Sequence, residues 1–163
     1  RPGGRRSRHV ENQRESAKVS DRGQEEGSEA MKRYVLDSYA MIAYFEDEPG
    51  ADRVAQILRQ LIQGKAKGYM SVVNWGEVYY NTMREEGVAE AEKVILQLDK
   101  FPIQVVEVNR DFAYEAAKLK GKYRIAYADC FAAALSLKLN ASLVTGDSEF
   151  KKLKERISIQ WID

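Results

Sequence analysis

The sequence predicts an α/β protein in which a parallel sheet is covered by helices on both faces. Two observations carry that prediction. Short apolar runs at 34–36, 69–73, 103–108, 142–145 and 157–162 alternate with helix-patterned segments. Strands separated by helical crossovers belong to parallel sheets with both faces buried. Second, acidic residues follow two of these runs almost directly, Asp37 after the first and Asp147 after the fourth. In open α/β sheets, sites lie beyond the carboxyl ends of the strands, where the strand order reverses.

The elements read in order as follows. Residues 34–36 form a first strand, and 38–45 a helix broken near Pro49-Gly50. Residues 51–62 are amphipathic, with Val54, Ile57, Leu58, Leu61 and Ile62 on one face. Gly64 and Gly68 are expected to bracket a turn, followed by a strand over 69–73 that runs into a helix start. Helices are expected over 77–85, stopped by Gly87, and over 88–98. A β-branched strand spans 103–108. Asn109 or Asp111 then caps a helix through Leu119, with Gly121 just past its end. Residues 126–139 form an apolar helix, 142–145 a strand, 150–153 a short helix and 157–162 the last strand.

Residues 31–163 therefore read as one domain. Residues 1–30 read as a polar, disordered leader, since Val10 and Val19 are the only sizeable apolar residues ahead of Ala30. Such a segment buries too little surface to offset the entropy of ordering. A basic arm touching nucleic acid is the functional alternative, suggested by Arg1-Pro2-Gly3-Gly4-Arg5-Arg6-Ser7-Arg8.

Composition narrows the chemistry. The chain of 163 residues carries 26 Lys+Arg against 25 Asp+Glu, a formal net charge of +1 that neither announces nor excludes a nucleic-acid binder. Cys130 is the one cysteine, so an internal disulfide is impossible; this suits a reducing, cytoplasmic setting. No apolar run approaches the ~20 residues needed to span a bilayer, so no membrane association is expected. His9, in the leader, is the only histidine. A Ser-His-Asp triad, a Cys-His pair and a His-rich zinc site are thereby disfavoured in the folded part. Hydrolytic chemistry there has to run on carboxylates, hydroxyls, lysines or a metal held by oxygen.

Asp129 is the anomaly. It is the sole charge in Tyr127-Ala128-Asp129-Cys130-Phe131-Ala132-Ala133-Ala134-Leu135. A helix this apolar is buried over most of its surface, and a buried carboxylate needs a donor, a cation, a metal or a proton. If the first and fourth strands are neighbours, Asp37 and Asp147 emerge on one rim, and Glu77 and Asp129, near the starts of their helices, come up to the same edge. Clustered carboxylates repel, and a hard divalent cation relieves that repulsion. Mg²⁺ takes oxygen ligands through one or two carboxylates plus waters, and Mn²⁺ accepts the same set.

Each acid also has a structural reading. Asp37 and Asp147 suit helix N-caps or Asx turns. Glu77 could close a capping box with Asn74, unless Ser71 is the cap. Asp129 could pair with Lys122 or Arg124 in a buried salt bridge.

Four blocks in order resemble those that mark PIN-domain proteins, and VapC-type toxins among them. They are Val35-Leu36-Asp37-Ser38, Ser71-Val72-Val73-Asn74-Trp75-Gly76-Glu77-Val78-Tyr79-Tyr80, Ala126-Tyr127-Ala128-Asp129-Cys130-Phe131-Ala132-Ala133-Ala134 and Leu143-Val144-Thr145-Gly146-Asp147-Ser148-Glu149-Phe150. The resemblance covers essentially all of 31–163. It implies a three-layer α/β/α sandwich around five parallel strands and a Mg²⁺- or Mn²⁺-dependent endoribonuclease. It places Asp37, Glu77, Asp129 and Asp147 in the catalytic, metal-holding cluster, with Thr145 and Ser38 in support. It further implies an RNA substrate, a small antitoxin partner and a homodimer.

Two other classes compete. A PIN-like module that binds RNA or protein without turnover would use Lys118, Lys120, Lys122 and Arg124, or Lys151, Lys152 and Lys154, against phosphates. A phosphatase or phosphoryl-receiver domain also gathers acids at strand ends. Asp37-Ser38-Tyr39 lacks the Asp-x-Asp of the haloacid dehalogenase type, and Val108-Asn109 stands where a receiver needs its aspartate.

Overall fold

Alternation of side chains along the first strand determines how the layers form. In the computed structural model, which describes residues 30–163, strand β1 is Lys32–Leu36. Tyr34 and Leu36 point into one apolar cluster, and Val35 points into another on the opposite face. A strand buried on both faces is what the apolar run Tyr34-Val35-Leu36 requires.

Helices α1 (Ser38–Phe45) and α2 (Ala51–Ile62) lead to β2 (Ala66–Ser71). Helices α3 (Val72–Glu86) and α4 (Val88–Leu98) lead to β3 (Ile103–Val106). Helices α5 (Arg110–Lys122) and α6 (Tyr127–Leu139) lead to β4 (Ser142–Thr145), and a short 3₁₀ helix (Ser148–Leu153) leads to β5 (Ile159–Trp161). All pairings are parallel, and the strand order is β3-β2-β1-β4-β5.

Given that order, right-handed crossovers decide which face each pair of helices covers. From β1 to β2 to β3 the chain steps outward in one direction, so α1 to α4 pack on one face; their cluster includes Met41, Val54, Leu58, Val78 and Leu98. From β3 it must return past β1 to lay down β4, so α5 and α6 cover the other face, with Phe112, Leu119, Phe131 and Leu135 in its cluster. The result is the predicted three-layer sandwich with five parallel strands.

Several boundaries differ from expectation. Gly68 lies inside β2 rather than in a turn, because a side chain there would run into Leu61 of α2. The strand expected over 69–73 ends at Ser71, and α3 starts five residues earlier than the predicted 77. Gly121 falls inside α5, which continues to Lys122; its Cβ position is open space, so nothing there ends the helix. The segment read as a leader lies outside the described residues, apart from Ala30. Among the described residues no helix is long and apolar enough to cross a membrane.

Candidate active site

Because β1 pairs with both β2 and β4, the strand order reverses between β1 and β4. The chain leaves these two strands at their carboxyl ends through Asp37 and Asp147. Asp37 caps α1 by accepting from the Ala40 N–H at 2.9 Å. Asp147 caps the 3₁₀ helix by accepting from the Glu149 N–H at 2.9 Å. Both therefore fill the capping role that short polar side chains favour. In each, the cap engages one oxygen, Oδ1.

Asp37 goes beyond that role. It is 1 % exposed, and its Oδ2 has no hydrogen-bond partner. Burial pushes its carboxyl up to about 8. The Thr145 hydroxyl and the Ala40 N–H act in the opposite direction, and the charges of Asp129 and Asp147 add to the rise. The Thr145 hydroxyl faces Asp37 without meeting hydrogen-bond geometry at Oδ2, and with a lone pair it accepts from the Asp147 N–H at 3.0 Å. A cap alone does not require an orphaned, buried carboxylate oxygen, which is costly to keep.

Glu77 enters from α3. Ser71 is the cap of that helix, accepting from the Val73 N–H, so Glu77 lies deeper than a capping box allows. Its carboxylate is held by three donors. Ser38 Oγ and Asn74 Nδ2 each donate to Oε1 at 2.9 Å, and the Tyr80 hydroxyl reaches Oε2 at 3.4 Å.

Asn74 is the residue that sequence reasoning undervalued. It is fully buried, and its Nδ2 also donates to the Ala128 carbonyl at 3.2 Å. It thus ties α3 to the first turn of α6, one residue ahead of Asp129. Its spacing of three from Glu77 was the available signal.

Asp129 lies in that first turn, partly buried. Burial is the main cause that raises its carboxyl to about 7; Asp147, Glu77 and Glu149 add to it, and Lys120 works against it. The alternative reading of Asp129, a salt bridge to Lys122 or Arg124, has no such pair behind it among the described residues. Lys122 instead lies over the Tyr123 ring, 5.5 Å from its centroid. The four predicted acids thus share one electrostatic neighbourhood, in which Asp129 feels Asp147 and Glu77, and Asp37 feels Asp129 and Asp147.

Among the described residues, no three acidic side chains converge tightly enough to form a ready-made metal cage. The orphaned Asp37 Oδ2 and the mutual repulsion nevertheless fit a divalent cation chemically, in the manner of a hydrated ion reached by one or two carboxylates.

Of the lysines considered for phosphate contact, three are engaged by the chain itself. Lys118 pairs with Glu115 at 3.0 Å, Lys120 donates to the Ile125 carbonyl, and Lys152 donates to the Arg124 carbonyl and Glu149.

Fold and acids together define a three-layer α/β/α domain with a carboxylate-lined edge at its strand-order reversal. The sequence profile of the PIN domain matches residues 34–156, and the chain belongs to that family. No curated protein matches the chain. Among solved structures, it is similar to VapBC2 from Rickettsia felis bound to a DNA fragment from its promoter, at 16 % identity and a TM-score of 0.62 over 78 % of this chain and 97 % of that one. VapBC-1 from nontypeable Haemophilus influenzae is similar at 22 % identity and 0.60, over 80 % and 98 %. VapC20 of Mycobacterium tuberculosis, described as a Sarcin-Ricin loop cleaving toxin, is similar at 15 % identity and 0.58, over 74 % and 94 %. At these identities the likeness is one of fold.

Proposed function

We propose that this PIN domain is a divalent-metal-dependent endoribonuclease and the toxin of a toxin–antitoxin pair. The observation that carries the reading is Asp37: a buried carboxylate with one oxygen used as a cap and the other left without a partner, beside two further acids. The likeness to VapC20, described as a Sarcin-Ricin loop cleaving toxin, and to a toxin-antitoxin complex from Klebsiella pneumoniae supports RNA as substrate and an antitoxin as partner.

Asp37, Asp129 and Asp147 would hold the ion, directly or through water, with Glu77 completing the set. When bound, Mg²⁺ or Mn²⁺ supplies charge stabilisation at the phosphodiester and lowers the pKa of a coordinated water. The chain's own residues do the positioning. Ser38, Asn74 and Tyr80 fix the Glu77 carboxylate, which would accept a hydrogen bond from the attacking water. Thr145 holds the backbone of Asp147.

A PIN-like module that binds without turnover is the second reading, favoured by the lack of a preformed three-acid grouping among the described residues. Incubating mixed cellular RNA with the protein, with and without Mg²⁺ or Mn²⁺, separates the two. Sequenced, metal-dependent cuts that vanish in Asp129→Ala support the nuclease. RNA that binds yet stays intact with Mn²⁺ supports the module, and full cleavage in excess EDTA rejects the metal-dependent reading.

A further inference from the structure

We propose that a groove along α5 and α6, lined by none of the four acids, binds a small amphipathic anion: an apolar body that carries a carboxylate or a phosphate. The inference goes beyond the reading of the acids and does not depend on it.

The groove encloses about 710 Å³. Clefts of about 300–1,000 Å³ are the size that takes one small ligand. Its floor is apolar. Phe112 and Leu119 come from α5, and Ala134 and Leu137 from α6. Leu137 is 38 % exposed, an uncovered leucine directly after a run of buried residues. Asp111 and Lys122 both line the groove and stand at the two ends of α5, about 16 Å apart at the helical rise. The cleft is therefore long, which suits a chain-like body. A partner helix, about 10 Å across with its side chains, would sit on such a groove rather than in it.

Charge selects the head group. Lys118, Lys122, Lys138 and Arg156 line the groove, against Asp111 and Glu115. Lys118 is taken by Glu115 at 3.0 Å. Among the described residues, Lys122, Lys138 and Arg156 have no carboxylate within ion-pair distance, and all three are exposed. Three such cations against one remaining acid favour an anion. Their aliphatic stems can also wall the apolar body while the charged heads meet the anion. An apolar floor with a few polar groups at its rim is the general form of a small-ligand site.

The full chain, with EDTA present so that no metal at the acids takes up a phosphate, is titrated with decanoate, decyl phosphate and decyltrimethylammonium below their micelle-forming concentrations. Calorimetry gives the affinity, and leucine-methyl NMR shifts map the site. One-to-one binding of decanoate or decyl phosphate is expected, with shifts at Leu119 and Leu137; the tighter of the two names the head group. The cationic chain should bind at least about tenfold more weakly. Lys138→Glu combined with Arg156→Glu should weaken the anions by about tenfold or more, the change expected from a lost charge-assisted contact, while Lys138→Arg with Arg156→Lys retains them. Leu137→Asp should abolish binding. Should a variant fail to fold, the wild-type shift map and the comparison with the cationic chain decide. No binding of either anion at millimolar concentration, equal binding of the cationic chain, or unchanged affinity in the charge-reversed variant overturns the site. An acidic amphipathic helical peptide that shifts Leu119 and Leu137 where both anions fail overturns it in favour of a protein partner. Self-association in sedimentation that Leu137→Asp abolishes, with no anion bound, overturns it in favour of a second copy.

Discussion

At the scale of single residues, Asp37 is where stability and activity oppose each other. Its carboxyl, ordinarily near 3.8, is raised to about 8 by burial. The folded state therefore binds the proton more tightly than the unfolded chain. That contribution to stability is complete below about pH 4 and is lost as pH rises through about 8. Asp129, raised to about 7, acts in the same direction over a narrower window. Metal-free protein should consequently melt at progressively lower temperature between pH 5 and 8.5. Glu46, raised to about 7 by burial and by Glu48, Glu85 and Glu86, adds to that slope from elsewhere, so the informative quantity is a difference. Asp37→Asn keeps a side chain of similar shape without the charge. It should raise the metal-free melting temperature at pH 8 by several degrees while matching wild type at pH 4.5, and should lower cleavage more than about 100-fold. Scanning calorimetry at the two pH values checks the first part. A wild type whose stability is flat over this range would show that Asp37 is not held buried and near-neutral.

At the scale of elements, the joint between α3 and α6 is made by one amide. Asn74 satisfies Glu77 and the Ala128 carbonyl at once. Asn74→Ala removes the side-chain bond between α3 and the Ala128 carbonyl of α6 and leaves Glu77 without one of its three donors. Bonds to charged groups contribute about 1.5–3 kcal/mol, so the variant should lose about 2 kcal/mol in urea denaturation at an unchanged slope. Cleavage should fall about 10–100-fold through the misplaced carboxylate. A loss of stability without any loss of activity would separate the joint from the site.

Gly146→Ala addresses the neighbouring joint. Its new Cβ would meet the Tyr39 ring and, at 3.1 Å, Ile162. Overpacking of this kind costs about 1–3 kcal/mol. Combining it with Tyr39→Ala should recover part of that loss, measured as a double-mutant cycle.

How far these elements were legible follows from what each one depends on. The alternation of strands and helices, the capping Asn109 and the apolar α6 depend on local pattern and were readable. That β1 lies between β2 and β4 was not readable, because the hand of a crossover fixes the face its helices cover and not which strands become neighbours; the sequence left the meeting of Asp37 and Asp147 conditional on it. Gly68 misled because a glycine in a strand looks like a turn until the packing of Leu61 against it is known. Gly121 misled because a helix stop needs a reason at the position itself, and α5 has none there. Asn74 stayed a candidate cap because its second partner is a backbone carbonyl 54 positions away, which no local pattern encodes.

At the scale of the whole molecule, five parallel strands and their crossovers form a frame that holds four carboxyl groups near one another. Helix packing on both faces, through the clusters around Met41 and Phe131, supplies the stability against which that repulsion is set. A cation that binds the folded frame and not the unfolded chain must then stabilise it by mass action, by RT ln(1 + [M]/Kd). The gain should depend on pH, because the ion competes with the protons on Asp37 and Asp129. Adding Mn²⁺ at about 100 times its Kd should stabilise the wild type by about 2.7 kcal/mol at pH 8 and by much less at pH 5. EDTA should reverse it. Asp37→Asn and Asp129→Asn should respond weakly at both pH values, while Glu107→Gln, remote in sequence from every acid of the cluster, should respond like wild type. Melting curves with and without Mn²⁺ at the two pH values make the comparison. Equal shifts in wild type and in all three variants would mean that the ion binds elsewhere, and the acidic edge would then lose its claim to a metal.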